Sequence, residues 1–273
     1  MASDAHTSET TGPGKAGAGI AKEYVDANGV RTYYEVEGTG EPLVMLHGGL
    51  CAIETFGALR SSMVERHRIY LPERRGHGRT PDVEGPFTYE VMARDTIAFM
   101  DAINLESAHI LGWSDGASVG LLTALHRPDL VRRLVLIGQP ANLDGIHTEF
   151  REMLRLEKMP QDMLPPMLKE MYAAVSPDGP EHWDVVVDKA WQMFRTEPDL
   201  EIDELTNVSA PTLLLLGDND IVTIPHAEEM HRALPQSEIV VVAGATHGLP
   251  LEKPDVVSRL VLDFLADDSA GGP

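Results

Sequence analysis

Apolar residues gather in short runs separated by longer stretches whose apolar positions recur at helical spacing. The runs are Leu43–Leu46, Arg68–Leu71, Ala108–Gly112, Val131–Ile137, Thr212–Leu216 and Glu238–Val242. The stretches between and after them, Ile53–Val64, Tyr89–Ile103, Ala117–His126, His226–Leu234 and Pro254–Ala266, predict helices. Near-continuous apolar strands alternating with amphipathic helices indicate βαβ units, in which helices cover both faces of the sheet. Upstream, Lys22–Asp26 and Val30–Val36 predict two strands joined by the turn Ala27-Asn28-Gly29. The expected fold class is α/β, a mostly parallel doubly wound sheet.

The alternation stops between Gln139 and Ala210, where the pattern is helical and polar on one side. Met153, Met159, Met163, Met167, Met171 and Met193 lie there, half of the chain's 12 methionines. Met159, Met163, Met167 and Met171 have the spacing of one helix face, although Pro160, Pro165 and Pro166 interrupt any single helix. The segment predicts an inserted helical cap over the C-terminal edge of the sheet. The expected organisation is a leader at 1–18, an α/β core at 19–138 and 207–273, and a cap at 139–206. Thioethers adapt to irregular shapes, so Met163 and Met167 are candidates for the substrate wall, together with Trp113, Trp183 and Trp191.

A length of 273 residues leaves ample chain for a buried core. The net charge of -21 disfavours nucleic acid and anionic membrane surfaces as partners. Cys51 is the single cysteine, so no disulfide within the chain is possible. The leader, rich in Ser, Thr, Gly and Ala, lacks the apolar centre of a signal peptide, and no apolar stretch has membrane-spanning length. A cytoplasmic protein is expected.

Candidate chemistry centres on Gly112-Trp113-Ser114-Asp115-Gly116, between a predicted strand and a predicted helix. An abrupt strand-to-helix turn strains its central residue, and flanking glycines remove the clashes that would forbid it. Ser114 at the apex would present its hydroxyl at a helix N-terminus, where negative charge is stabilised. A serine hydroxyl needs a base to take its proton. His247, in Gly244-Ala245-Thr246-His247-Gly248 after the last predicted strand, is the candidate. His226 and His231 fall on a helix face, His126 lies near a helix end and His6 is in the leader. The imidazole needs an orienting carboxylate, and the loop after Thr212–Leu216 offers Asp218 and Asp220. Asp220 lies deeper, before an apolar pair, whereas Asp218 suits a turn near Gly217. Backbone donors for an oxyanion are expected at Gly49, in His47-Gly48-Gly49-Leu50, and at Asp115. His47 is expected to anchor that loop.

The chain from about Tyr24 to Ala266 resembles the α/β-hydrolase superfamily, in particular its small capped esterases, lactonases, cofactor-free haloperoxidases and aminoacyl-ester hydrolases. The resemblance rests on Leu46-His47-Gly48-Gly49, Arg75-Gly76-His77-Gly78-Arg79-Thr80, the nucleophile turn, Gly217–Asp220 and Thr246-His247-Gly248. It implies the order Ser114, Asp220, His247 for a triad, with Asp220 on the Gly-x-x-Asp pattern, and a structural role for Arg75–Thr80. Glu73 stands where relatives often carry aspartate. Serine at the centre of the turn argues against epoxide opening and halide displacement, and the short oxyanion loop argues against carbon–carbon cleavage.

The implied activity is hydrolysis of a small-molecule carboxylic ester, lactone or aminoacyl ester through an acyl-enzyme, without metal or organic cofactor. Two other uses of such a site remain open: ligand sensing without turnover, and acyl transfer or perhydrolysis. The Asp115 carboxylate has two readings, a seat for a substrate ammonium group or an acceptor for local backbone donors at the helix start. Cys51 reads as a small packed residue.

Overall fold

The computed structural model describes residues 19–160 and 163–266; the leader at 1–18 lies outside them. Eight strands form one sheet: β1 Ala21–Ala27, β2 Val30–Glu37, β3 Glu41–Leu46, β4 His67–Pro72, β5 Ala108–Trp113, β6 Val131–Ile137, β7 Thr212–Asn219 and β8 Ser237–Thr246. Their order is β1-β2-β4-β3-β5-β6-β7-β8. β1 and β2 form an antiparallel hairpin, and β2 runs antiparallel to β4; every other pairing is parallel. The hairpin closes through Asn28 and Gly29, both at positive φ (48° and 77°). That is the backbone a two-residue turn between right-twisting strands requires, and the Asn-Gly pair adopts it at little cost.

The central strands β3, β5, β6 and β7 are mainly apolar because both of their faces are covered. Leu43 and Met45 of β3 join one core cluster, while Val44 and Leu46 join the other. The same alternation holds for Ile110 against Leu111, Leu134 against Val135, and Leu214 against Leu213 and Leu215. Helices α1 (Gly57–Val64) and α9 (Pro254–Leu265) cover one face. Helices α2 (Tyr89–Ala102), α3 (Asp115–His126) and α7 (Ile224–Ala233) cover the other. A short helix α8 (Leu249–Glu252) precedes α9. Among the described residues, no helix is long and apolar enough to cross a membrane.

Several boundaries differ from expectation; β7, for one, runs past Leu216 to Asn219. The stretch predicted as one helix from Ile53 is a 3-10 turn over Ile53–Phe56 followed by α1, with Gly57 at φ 37° between them. Helix α3 starts at Asp115 rather than near Ala117, so no loop separates β5 from α3. β8 runs four residues past Val242, to Thr246.

Between β6 and β7 lie α4 (Thr148–Met153), α5 (Pro166–Val175) and α6 (Trp183–Phe194). The methionine spacing does not make one helix. Only Met167 and Met171 fall on α5, which begins at Pro166; Met159 precedes it in irregular backbone and Met163 in a 3-10 turn.

Strand order positions the site. From β3 the chain moves to β4 on one side and then returns to β5 on the other. The loops leaving β3 and β5 therefore diverge from adjacent strand ends, and a crevice opens between them. Gly48-Gly49 lies in the first of these loops, and Ser114 stands at the end of the second strand.

Candidate active site

Ser114 sits at φ 54°, ψ -121°, a region that side-chain-bearing residues rarely adopt. Packing holds it there. Its N–H donates to the Ile137 carbonyl (2.8 Å), and its own carbonyl accepts from Ala117 N (2.8 Å). The two glycines are fixed by close approach of backbone rather than by a left-handed conformation. A Cβ at Gly112 would lie 2.3 Å from the Gly116 carbonyl oxygen, and one at Gly116 would lie 2.0 Å from the Leu46 carbonyl oxygen.

His247 follows β8 directly, and its Nε2 lies 2.9 Å from Ser114 Oγ. Its Nδ1 lies 2.8 Å from Asp220 Oδ1. Of the two candidate aspartates, Asp220, just past β7, faces the imidazole. Asp218 does not bind its own turn as expected; its Oδ1 accepts from Gly244 N (2.7 Å) and Ala245 N (3.3 Å), tying the end of β7 to β8. Asp220 is buried and also accepts from Val222 N. The indole N–H of Trp113 donates to the His247 carbonyl at 2.9 Å, which anchors the imidazole-bearing loop.

Gly138, which the sequence pattern does not single out, lies against this array at φ 62°. A Cβ there would stand 3.0 Å from His247 Nδ1 and 3.1 Å from Asp220 Oδ2. Its only sequence signal is its place at the C-terminal end of a strand in the middle of the sheet.

The loop after β3 is held by two buried histidines. His77 Nε2 accepts the Leu50 amide (3.1 Å), and its Nδ1–H donates to the Arg75 carbonyl (2.8 Å). His47 Nε2 accepts the Arg74 amide (3.3 Å), and its Nδ1–H donates to the Gly48 carbonyl (2.8 Å). Leu50 is strained at φ 56°, and its amide is taken. Gly49 and Asp115 line one cavity with Ser114, and Gly49 packs on the Asp115 carboxyl: a Cβ on Gly49 would lie 2.3 Å from Asp115 Oδ2. The Asp115 amide opens α3, where helix geometry supplies no intrahelical acceptor.

Burial, with the nearby Arg74 charge, holds the His77 imidazole down at about 3, and the same causes with His77 hold His47 well below its ordinary value of 6.5. Both rings are therefore neutral at physiological pH. A depressed imidazole favours the fold fully above the free value of 6.5, and that contribution is lost as pH falls toward 3. The expected result is that ring nitrogen shifts of His77, followed by NMR in the folded protein, stay those of the Nδ1–H tautomer from pH 8 to pH 5. A midpoint near 6 would contradict the assigned hydrogen bonds.

A cavity of about 380 Å³ opens on Ser114. Trp113, Met163 and Met167 line it as expected, joined by Met159, Phe150, Leu154, Leu164 and Phe194. Trp183 and Trp191 do not. Trp183 packs on Tyr172, with ring centroids 5.3 Å apart, and the buried Trp191 donates its indole N–H to the Leu156 carbonyl. Both lie on the buried face of α6, Trp183 where that helix meets Leu50 and His77 of the core and Trp191 within the inserted segment. The wall falls to smaller apolar residues nearer Ser114.

Besides His247, the ionisable acidic and basic side chains lining the cavity are Asp115 and Glu197. Asp115 is buried, its Oδ1 accepts the Tyr89 hydroxyl at 2.8 Å, and its Oδ2 has no partner. Burial raises the pKa of both carboxyls. Burial likewise pushes the Cys51 thiol up to about 12, which leaves no thiolate to act as a nucleophile. Arg75 grips the Asp95 carboxylate with two bonds of 2.6 Å, and the buried Glu73 accepts the Arg79 guanidinium at 2.7 Å; both pairs brace the loop between β4 and α2. His226 is buried away from the site and accepts the Ala141 amide (3.0 Å), while His126 meets Glu90 at the surface. His6 lies outside the described residues.

The residue pattern of the alpha/beta hydrolase family matches residues 43–260. The chain belongs to this family. Among its relatives, serine hydrolase BPHL of Homo sapiens is 27% identical, with 93% of this chain and 90% of the relative covered. The sn-1-specific diacylglycerol lipase ABHD11 of Mus musculus is also 27% identical, with 82% and 80% covered. Of solved structures, carboxylesterase CesB from Bacillus subtilis superposes with a TM-score of 0.72 at 21% identity, over 91% of this hydrolase and 92% of that chain. At that identity the likeness is one of fold.

Proposed function

We propose that this hydrolase cleaves carboxylic esters through an acyl-enzyme, with Ser114 as nucleophile, His247 as base and Asp220 as orienting carboxylate. The observation that carries the proposal is the continuous path from Asp220 Oδ1 through the imidazole to Ser114 Oγ, with steps of 2.8 and 2.9 Å, facing the cavity. Asp220 accepts the Nδ1–H and so leaves the Nε2 lone pair directed at the serine hydroxyl. As Oγ attacks the carbonyl carbon, Nε2 takes its proton and the carbonyl oxygen becomes an oxyanion. The amides of Gly49 and Asp115 receive that charge. The tetrahedral centre then collapses, the carbon–oxygen bond to the leaving group breaks, and the imidazolium returns the proton to the departing alcohol. Water repeats the sequence on the acyl-enzyme and frees Ser114. The segment 139–206 serves as a cap, since its apolar side chains form much of the cavity wall.

The volume of about 380 Å³ is that of a small-molecule site, and its lining is mostly apolar. The carboxylates of Asp115 and Glu197, without a lining Lys or Arg, favour neutral or cationic acyl groups over anionic ones. A series of nitrophenyl esters with neutral, ammonium-bearing and carboxylate-bearing acyl chains tests both points. Neutral and ammonium esters are expected to turn over with an initial burst of nitrophenol, and carboxylate esters at least about tenfold more slowly. Asp115→Asn should narrow the gap between cationic and anionic substrates. Absence of turnover and of a burst across the series defeats the ester-hydrolase proposal; an unchanged gap in Asp115→Asn defeats only the charge preference.

A further inference from the structure

Arg74 follows β4 and Glu73 and is buried. A guanidinium is costly to remove from water, and here its hydrogen bonds go to one short stretch of backbone. One terminal nitrogen donates to the His47 carbonyl, and the other donates to the Gly48 carbonyl at 2.9 Å. The Gly48 oxygen also accepts from His47 Nδ1 (2.8 Å) and from Cys51 N (3.4 Å), so three donors converge on it. That oxygen belongs to the same peptide group as the Gly49 N–H. The cis peptide of the described residues is Glu197-Pro198, so the Gly48–Gly49 peptide is trans. In a trans peptide the C=O and the N–H point in opposite directions. A clamp that holds the Gly48 oxygen toward Arg74 therefore fixes the Gly49 N–H away from Arg74, in a loop that lines the cavity together with Ser114 and Asp115.

We infer that Arg74 is a positioning residue of the reaction: through the Gly48–Gly49 peptide it aims the Gly49 N–H at the oxyanion and strengthens it as a donor. The inference rests on the ester-hydrolase proposal, which gives that amide its role. The aim comes from geometry, because a planar guanidinium gripping two successive carbonyls leaves the peptide plane little freedom to rotate. The strengthening comes from polarisation, since a cation hydrogen-bonded to a carbonyl draws electron density across the amide and makes its N–H more positive. The inference also accounts for the histidines. His47 and His77 take up the amides of Arg74 and Leu50, which leaves the Gly49 amide as the donor that the clamp directs.

The test compares two substrates that differ in one atom, a nitrophenyl ester and its thionoester, in wild type, Arg74→Met and Arg74→Lys. Sulfur is a weaker and longer-range hydrogen-bond acceptor than oxygen, so the thionoester draws little on the oxyanion donors. Both substrates are followed by nitrophenol release in one preparation, so the ratio of their kcat/KM values does not depend on the fraction of enzyme that is folded. Arg74→Met is expected to lower the ester-to-thionoester ratio about tenfold or more, a part of what a full oxyanion donor contributes. Arg74→Lys should lower it about threefold, because an ammonium keeps the charge but lacks the fork that spans two carbonyls. A ratio within twofold of wild type overturns the inference; if Arg74→Met does not fold, the Arg74→Lys ratio decides alone. Ser114→Ala serves as the separating control. If it retains ester turnover, the ester-hydrolase proposal itself falls. If it is inactive while the Arg74 ratios are unchanged, only the inference about Arg74 falls.

Discussion

Replacing Ser114 by alanine is expected to reduce kcat for a nitrophenyl ester by about 10⁴- to 10⁶-fold while leaving the fold intact, the scale on which such nucleophiles fail when removed. The alanine variant keeps a Cβ and hence the strain of φ 54°, so its unfolding midpoint should match that of wild type. Ser114→Gly should lose activity equally but gain about 1 kcal/mol of stability, because glycine occupies this backbone region without a steric penalty. The pair separates chemistry from conformation: both variants are inactive, and one is more stable than the parent. Turnover within tenfold of wild type in either variant removes Ser114 from the mechanism. A Ser114→Gly midpoint below that of Ser114→Ala would mean that the turn is not strained.

The largest effect on stability is expected at Gly116. A Cβ there would stand 2.0 Å from the Leu46 carbonyl oxygen, 2.5 Å from the Leu46 carbonyl carbon and 2.6 Å from the His47 carbonyl oxygen. All three are backbone atoms, so no side chain can rotate away. Relief requires α3 to move off β3 at the point where Leu46 and Gly112 pair across β3 and β5. The expected cost is on the order of 3–5 kcal/mol for Gly116→Ala, a lowering of Tm by about 10 °C in a chain of this size, or failure to accumulate folded protein. Gly120→Ala on the same helix provides the comparison. Its Cβ would meet a side-chain methyl of Ile110 at 3.0 Å, which can shift, and alanine's helix propensity offsets about 1 kcal/mol of any crowding. Thermal unfolding of the two variants decides the matter; a Gly116→Ala shift of less than about 2 °C would show that helix and strand can part freely.

Much of the architecture was legible in the order of residues. The central strands announced themselves as near-continuous apolar runs because they are covered on both faces, and the Asn28-Gly29 pair fixed the first turn through its own backbone preference. The nucleophile turn was legible because the strain at Ser114 is local to adjacent residues, although the close approach that demands Gly116 comes from Leu46 and His47, far away in the chain. Less was legible where one segment meets another distant in the chain. Asp218 and Asp220 stand two positions apart in the chain and are chemically identical. The pairing of β7 with β8, with its register shift between Gly217 and Asn219, hands Asp218 to the amides of Gly244 and Ala245 and turns Asp220 to the imidazole. Composition made Trp183 and Trp191 plausible walls, yet packing on the buried face of α6 took both rings and left the cavity to Phe150, Leu154 and Phe194. Gly138 and Arg74 carried no local signal, since one is defined by what stands 3.0 Å from a missing side chain and the other by carbonyls more than twenty positions away.

The sequence by itself determined the layered sheet, the strained serine and the order of the candidate groups along the chain, because periodicity and backbone sterics act between near neighbours. Only the tertiary structure decided which aspartate faces His247, which side chains bound the cavity and which charge holds the Gly48 carbonyl. Those choices depend on distances between segments that no local preference encodes.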